Sequence, residues 1–241
     1  VPNPNGNGRM FNNTIEASFR FVEGAQVTFE DLWFKVGGNY TTLLLWNSSD
    51  IICKQVYFEA TTPTNNEFFI YMDTHSKLTL EGVGMKVPEK HQSAIGMSAS
   101  ELSIRNSTIF SKIDLSEGSK LTLENVHIEI FGNNTIHAKD SEVIAKNSTI
   151  TGGDLEKDFP PVWLRNVIWE SENCKIELPT GTGVCLDNNV QFNSDSDHMT
   201  SINSYNSMIR AHQATFSEFL CVYEESFASL TGETTFLNEN A

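Results

Sequence analysis

The sequence predicts an all-β fold: a right-handed, single-stranded parallel β-helix of about ten rungs, with three strands per rung. Three observations predict it. One short pattern recurs between residues 19 and 236. Its apolar positions alternate with the period of two that places every second side chain of a strand on one face. No segment carries the period of a helix.

The repeat is plainest in Ser76–Met85 (SKLTLEGVGM), Ser100–Ile109 (SELSIRNSTI), Ser119–Ile128 (SKLTLENVHI) and Ser141–Ile150 (SEVIAKNSTI). Each reads as alternation, a turn residue and renewed alternation. With the turn residue as reference, the series extends both ways: Asp31, Gln55, Gly82, Asn106, Asn125, Asn147, Asn166, Asn188, Gln213 and Gly232, about 22 residues apart on average. Four places before each stand Val27, Ile51, Leu78, Leu102, Leu121, Val143, Val162, Val184, Ile209 and Ala228, all apolar. Two places before stand Phe29, Cys53, Leu80, Ile104, Leu123, Ala145, Leu164, Leu186, Ala211 and Leu230. Both columns belong on one inward face.

A second inward column follows the bend, through Phe34, Phe58, Met85, Ile109, Ile128, Ile150, Trp169 and Phe216, with Phe192 and Phe236 one place late. A third strand stands ten to twelve places upstream, in pairs such as Leu44/Trp46, Ile70/Met72, Ile113/Leu115 and Ile176/Leu178; it is poorly marked around Pro160–Pro161. Three short strands per repeat describe a triangular coil, and its rungs, at ~4.8 Å each, give a rod on the order of 45 Å long. Residues 1–18 are expected to form an N-terminal cap, and 19–241 the helix.

The outward positions support this register. Immediately before each reference residue stand Glu30, Lys54, Glu81, Arg105, Glu124, Lys146, Arg165 and Asp187, alternating in sign except from Lys146 to Arg165. Neighbouring rungs thus oppose unlike charges. Asparagine suits the reference position because it tolerates the left-handed backbone of a one-residue bend, and its amide can bond the same amide one rung away. Asn106, Asn125, Asn147 and Asn166 are therefore expected to stack. Here the chain resembles the pectin-lyase-like superfamily of right-handed β-helices, whose turn between the second and third strands often carries an asparagine ladder.

Composition excludes several functions. A formal charge of −15 repels phosphate backbones and anionic membranes, so no nucleic-acid partner is expected. The apolar run 43–46 is far shorter than a membrane-spanning helix. Cys174 and Cys185 are close enough in sequence to close a short loop. Glycosylation acceptor patterns occur at Asn12, Asn39, Asn47, Asn106, Asn133 and Asn147; ladder stacking would make Asn106 and Asn147 inaccessible.

No catalytic set emerges. The arginine and aspartate pattern of the pectate lyases and the motifs of the polygalacturonases are not matched. The carboxylates Asp154/Glu156/Asp158, Asp195/Asp197 and Glu224/Glu225 are placed in the variable segments between repeats. His91 and His198 are expected in loops, and His127 and His212 on outward strand positions. No metal or cofactor is expected, and Cys53 is expected to be a buried, inert thiol. Trp33 and Tyr57 share one outward column on successive rungs, an aromatic step able to hold a sugar ring or a partner's apolar side chain, or to lie beneath the N-terminal cap. The rod resembles the passenger domains of AIDA-type autotransporter adhesins, whose repeats read much like Gly118–Asn125 (GSKLTLEN). That resemblance implies a secreted or cell-surface adhesin that binds a surface glycan or protein ligand, or itself. The alternative is a carbohydrate-active β-helix, a polysaccharide lyase or hydrolase or a phage tailspike fragment.

Overall fold

The computed structural model describes residues 19–36, 43–60, 69–86, 95–132, 136–155, 160–179 and 182–237. The expected cap over residues 1–18 lies outside them. All strand pairings among these residues are parallel, and together they form a β-solenoid with no helix. Three ladders run its length. The first begins with Phe19–Phe21 on Leu43–Leu45, the second with Gln26–Glu30 on Asp50–Lys54, and the third with Trp33–Val36 on Tyr57–Ala60. Each ladder climbs strand by strand to the last set, carried by Thr215–Tyr223, Phe227–Thr231 and Thr235–Phe236. About eight turns have a neighbour on both sides; the ten expected from the repeat include the two end sets. At the C-terminal end Val222, Phe227, Leu230 and Phe236 are exposed, because no further strand covers them among the described residues.

The bends follow from backbone sterics. At the corner between the second and third ladders, Asp31, Gln55, Gly82, Asn106, Asn125, Asn147, Asn173, Ser196, Gln213 and Gly232 all have positive φ. A single left-handed residue turns the chain without a loop, and the amides of these residues continue the parallel bonding: Asn125 N donates to Lys146 O at 3.1 Å and Asn147 N to Glu172 O at 2.9 Å. The corner between the first and second ladders also turns on left-handed residues, single at Ala99, Asp140, Asn166 and Asn206 and paired at Asn47–Ser48, Thr74–His75, Glu117–Gly118 and Asn188–Asn189.

Inside, the expected columns form one core, except that Leu43 and Leu45 are the inward pair of their strand and the expected Leu44 and Trp46 lie one place out of register, on the outward side. Ile104 pairs with Leu123, and both are fully buried, as are Leu121, Ile128 and Phe58. The serine that opens each repeat turns inward just after the first corner. There its hydroxyl is satisfied locally: Ser49, Ser76 and Ser119 donate to the carbonyl three residues earlier at 2.6–2.7 Å.

The register expected from the repeat holds to Asn147 and then shifts. The next residue at that corner is Asn173, followed by Ser196, before Gln213 and Gly232 rejoin the expected series. Asn166 and Asn188 occupy the other corner, where Asn166 Nδ2 donates to Asp140 Oδ1 at 2.8 Å and Asn189 Nδ2 to Asn166 Oδ1 at 3.2 Å. The single expected asparagine stack is therefore two stacks, one on each corner. On the expected corner Asn125 Nδ2 donates to Asn106 Oδ1 at 3.2 Å.

Val162/Leu164 and Val184/Leu186 accordingly line the first ladder. Trp169 and Phe192 line the second, stacked at 5.7 Å, and Ile176 lines the third. Pro160–Pro161 do not sit on a weak upstream strand, because they lead directly into Val162–Glu172, whose first half is itself the first-ladder strand of its rung. The break in charge alternation also disappears. Lys146 Nζ meets Glu172 Oε2 at 3.0 Å, and Arg165 Nε meets Asp187 Oδ2 at 3.8 Å on the first ladder. A second alternating column, Asp50, Lys77, Glu101, Lys120 and Glu142, carries the pairs Lys77–Glu101 and Lys120–Glu142, each at 2.9 Å. These exposed pairs specify register more than they stabilise.

Candidate functional site

Trp33 and Tyr57 are register neighbours on the outward side of the third ladder. Their rings lie 5.8 Å apart with planes at 82°, which makes a right-angled aromatic corner. Other aromatic pairs that are register neighbours on one ladder stack nearly flat: Phe34 and Phe58 at 8°, Tyr205 and Tyr223 at 12°. The exception is explained by the next rung. Tyr57 pairs with Gly84, and a Cβ on Gly84 would lie only 2.5 Å from Tyr57 Cδ2 and 2.8 Å from Cε2. The tyrosine ring thus leans along the rod into the space that a side chain would fill. Gln55 does the same over Gly82, where an added Cβ would meet its amide, 2.8 Å from Cδ. Both phenol and indole remain half-buried, and burial, with Glu59 adding to it, raises the Tyr57 phenol above its ordinary pKa.

Beyond the two glycines, the same pair of outward columns continues through polar residues. Asn106, Asn125 and Asn147 on the corner, with Thr108, His127 and Thr149 on the strands, line an open cleft of about 480 Å³. All three asparagines are exposed, contrary to the inaccessibility expected of Asn106 and Asn147, because the ladder sits on the outer side of its corner. Among the described residues, the side chains of Thr108, Asn147 and Thr149 make no hydrogen bond.

The other residues singled out in the sequence are scattered. Asp195 ends an outward strand, whereas Asp197 turns inward at the corner and is 2% exposed, so the two do not form a carboxylate pair. Cys174 N donates to Asp197 Oδ1 at 2.7 Å, and the Ser171 hydroxyl donates to Oδ2. Burial pushes this carboxyl above its ordinary pKa, partly offset by those hydrogen bonds. Glu224 and Glu225 are exposed at the first corner of the last turn. Glu156, Asp158, His91 and the side chain of Asp154 lie outside the described residues. His198 lies on the outward side of strand His198–Tyr205 and not in a loop, while His127 and His212 hold the outward positions expected. All four cysteines are free thiols; the Cys53 thiol is fully buried and pushed up to about 12 by desolvation. Among the described residues no group of three or more His, Cys, Asp or Glu side chains could hold a metal ion. No helix among them is long and apolar enough to cross a membrane.

One arrangement is not marked by the sequence repeat. On the outward face of the first ladder, Asp114 Oδ1 lies 2.8 Å from His137 Nδ1 and Asp114 Oδ2 lies 3.2 Å from Lys112 Nζ. The imidazole stacks at 4.8 Å on Trp163. Asp114 and His137 each stand between two inward residues of a short strand, Ile113/Leu115 and Ile136/Ala138, so the signal was a single position per repeat. Compared with family models, curated proteins and solved structures, the chain matches none of them.

Proposed function

We propose that this solenoid is a non-catalytic adhesin rod, secreted or displayed at a cell surface, that promotes attachment or cell–cell aggregation through its outer faces. This is the role implied by its resemblance to AIDA-type passengers and, more broadly, to the pectin-lyase-like β-helices. The observation that carries the reading is the aromatic corner of Trp33 and Tyr57. Two half-buried rings set at 82° to each other on the outward side of the sheet present apolar surface at little cost in ordering. Displaying the rod on a non-adherent cell is expected to cause attachment or clumping, and the paired substitution Trp33→Ala with Tyr57→Ala is expected to abolish it. Clumping that survives the double substitution would remove the aromatic corner from the contact.

The second reading, a glycan hydrolase or lyase, is favoured by the Asp114–His137 pair, in which a carboxylate orients an imidazole as it does in acid–base sites. Against it, Asp114 is engaged by both His137 and Lys112, and the ring's other neighbour along its column, Trp163, offers neither an acid nor a base. Incubation with neutral and acidic polysaccharides, scored for reducing ends or unsaturated products, separates the two readings. Turnover lost on His137→Ala would replace the adhesin with an enzyme.

A further inference from the structure

We infer that the third face of the rod is an extended binding track for a linear, uncharged, β-linked hexose chain, which lies along the rod axis from Tyr57 to Thr149 with one sugar per rung. The inference rests on the adhesin reading and names the ligand class of its aromatic corner. Its basis is the continuity of two outward columns across the glycine rung. Gly82 and Gly84 remove both outer side chains at one level, and Gln55 and Tyr57 lie over them, so the aromatic corner runs into the asparagine–threonine cleft without a step.

Repeat, charge and backbone chemistry select the ligand. The five rungs carrying Tyr57, Gly84, Thr108, His127 and Thr149 follow one another in register. They span about 19 Å at ~4.8 Å per step. An extended β-1,4-linked chain advances by close to one rung per sugar with alternate rings turned over, so each pyranose meets the groups of one rung. Tyr57 offers a ring to the C–H face of a gluco-configured sugar; Asn106, Asn147, Thr108 and Thr149 offer amides and hydroxyls to the ring hydroxyls. The lining carries no fixed charge, and the column flanking the corner alternates in sign through Glu81, Arg105, Glu124 and Lys146, which gives a polyanion no net attraction. A peptide strand has no partner here, since the main-chain groups of these strands are taken by neighbours on both sides. Lys175, next in the column, ends the uncharged track.

The test is a titration of the protein with β-1,4-linked glucose and N-acetylglucosamine oligomers of two to six units, with polygalacturonate as the charged control. Affinity is expected to rise by roughly tenfold or more from the dimer to the pentamer and then level off, with no binding of polygalacturonate. Trp33→Ala with Tyr57→Ala should abolish binding at every length. Thr108→Ala with Asn147→Ala should weaken the pentamer several-fold and leave the dimer unchanged. Gly84→Ala, which lifts the Tyr57 ring without removing it, should weaken all lengths. Binding that is independent of length yet lost in the aromatic double variant would overturn the track while sparing the corner. No binding by either series, in folded protein, would overturn the track, whereas the corner itself falls only if clumping survives the aromatic double substitution.

Discussion

Leu123→Ala is expected to destabilise the solenoid by about 2–5 kcal/mol, seen as a lower urea midpoint with an unchanged slope. Leu123 is fully buried and stands between Ile104 below it and Ala145 above it in the second ladder. Truncation removes packing on both sides. The alanine already above it offers nothing that could swing into the space, so the cavity persists. The ladder on either side is held by main-chain bonds in fixed register, which limits collapse further. Thr122→Ala, one place along on the outward side, is the control and should change stability by no more than about 0.5 kcal/mol. Equal midpoints for Leu123→Ala and the unsubstituted protein would mean that this column does not face inward.

The second large effect concerns Asp197. The corner position just after each bend points inward, and in other rungs it holds Ser107 or Ser148, whose hydroxyls accept from Val83 N at 2.9 Å and Val126 N at 3.2 Å of the rung below. Asp197 performs the same task for Cys174 N with a carboxylate. Because burial raises its pKa in the folded chain, its contribution to stability is fully present below the ordinary aspartate value and is lost as pH rises through the raised folded value. Asp197→Asn retains an acceptor for Cys174 N and carries no charge at any pH. Relative to the unsubstituted chain, the asparagine variant should therefore gain stability as pH rises from strongly acidic to neutral. Asp197→Ala leaves the Cys174 amide and the Ser171 hydroxyl without their partner and should cost about 1–3 kcal/mol even in acid. A stability difference between the aspartate and asparagine forms that does not vary with pH would show that the carboxyl is not desolvated.

The architecture was legible because each rung must bury the same two or three apolar positions per strand, and Leu102, Leu121 and Val143 repeat that demand without interruption. The register after Asn147 was not. Both corners use the same left-handed bend, and both accept asparagine, so Val162–Leu164–Asn166 on the first ladder reads like Leu121–Leu123–Asn125 on the second. Local pattern cannot separate two corners of identical chemistry. The serines at the heads of the repeats were visible as repeats, but their hydroxyls are satisfied by a carbonyl two or three residues back, a relation that only the folded corner provides. Trp33 and Tyr57 were found by column counting, whereas the lean of Tyr57 over Gly84 required the pairing of those two rungs. Asp114 and His137 escaped because each first-ladder strand offers a single central outward position, too little for periodicity to mark.

The claim on which the faces and columns depend is the register at the point where the two corners were confused. Replacing Lys146 and Glu172 with cysteine, in a chain carrying Cys185→Ser and Cys221→Ser, places two thiols on outward positions of adjacent strands. A bifunctional thiol reagent with a reach of about one rung, ~5 Å, followed by peptide mapping, reads their proximity directly. Efficient cross-linking of positions 146 and 172, with none between 146 and 165 in the matching Lys146→Cys, Arg165→Cys chain, is the predicted result. Cross-linking of 146 to 165 in place of 172 would contradict it and would return Asn166 to the stack above Asn147.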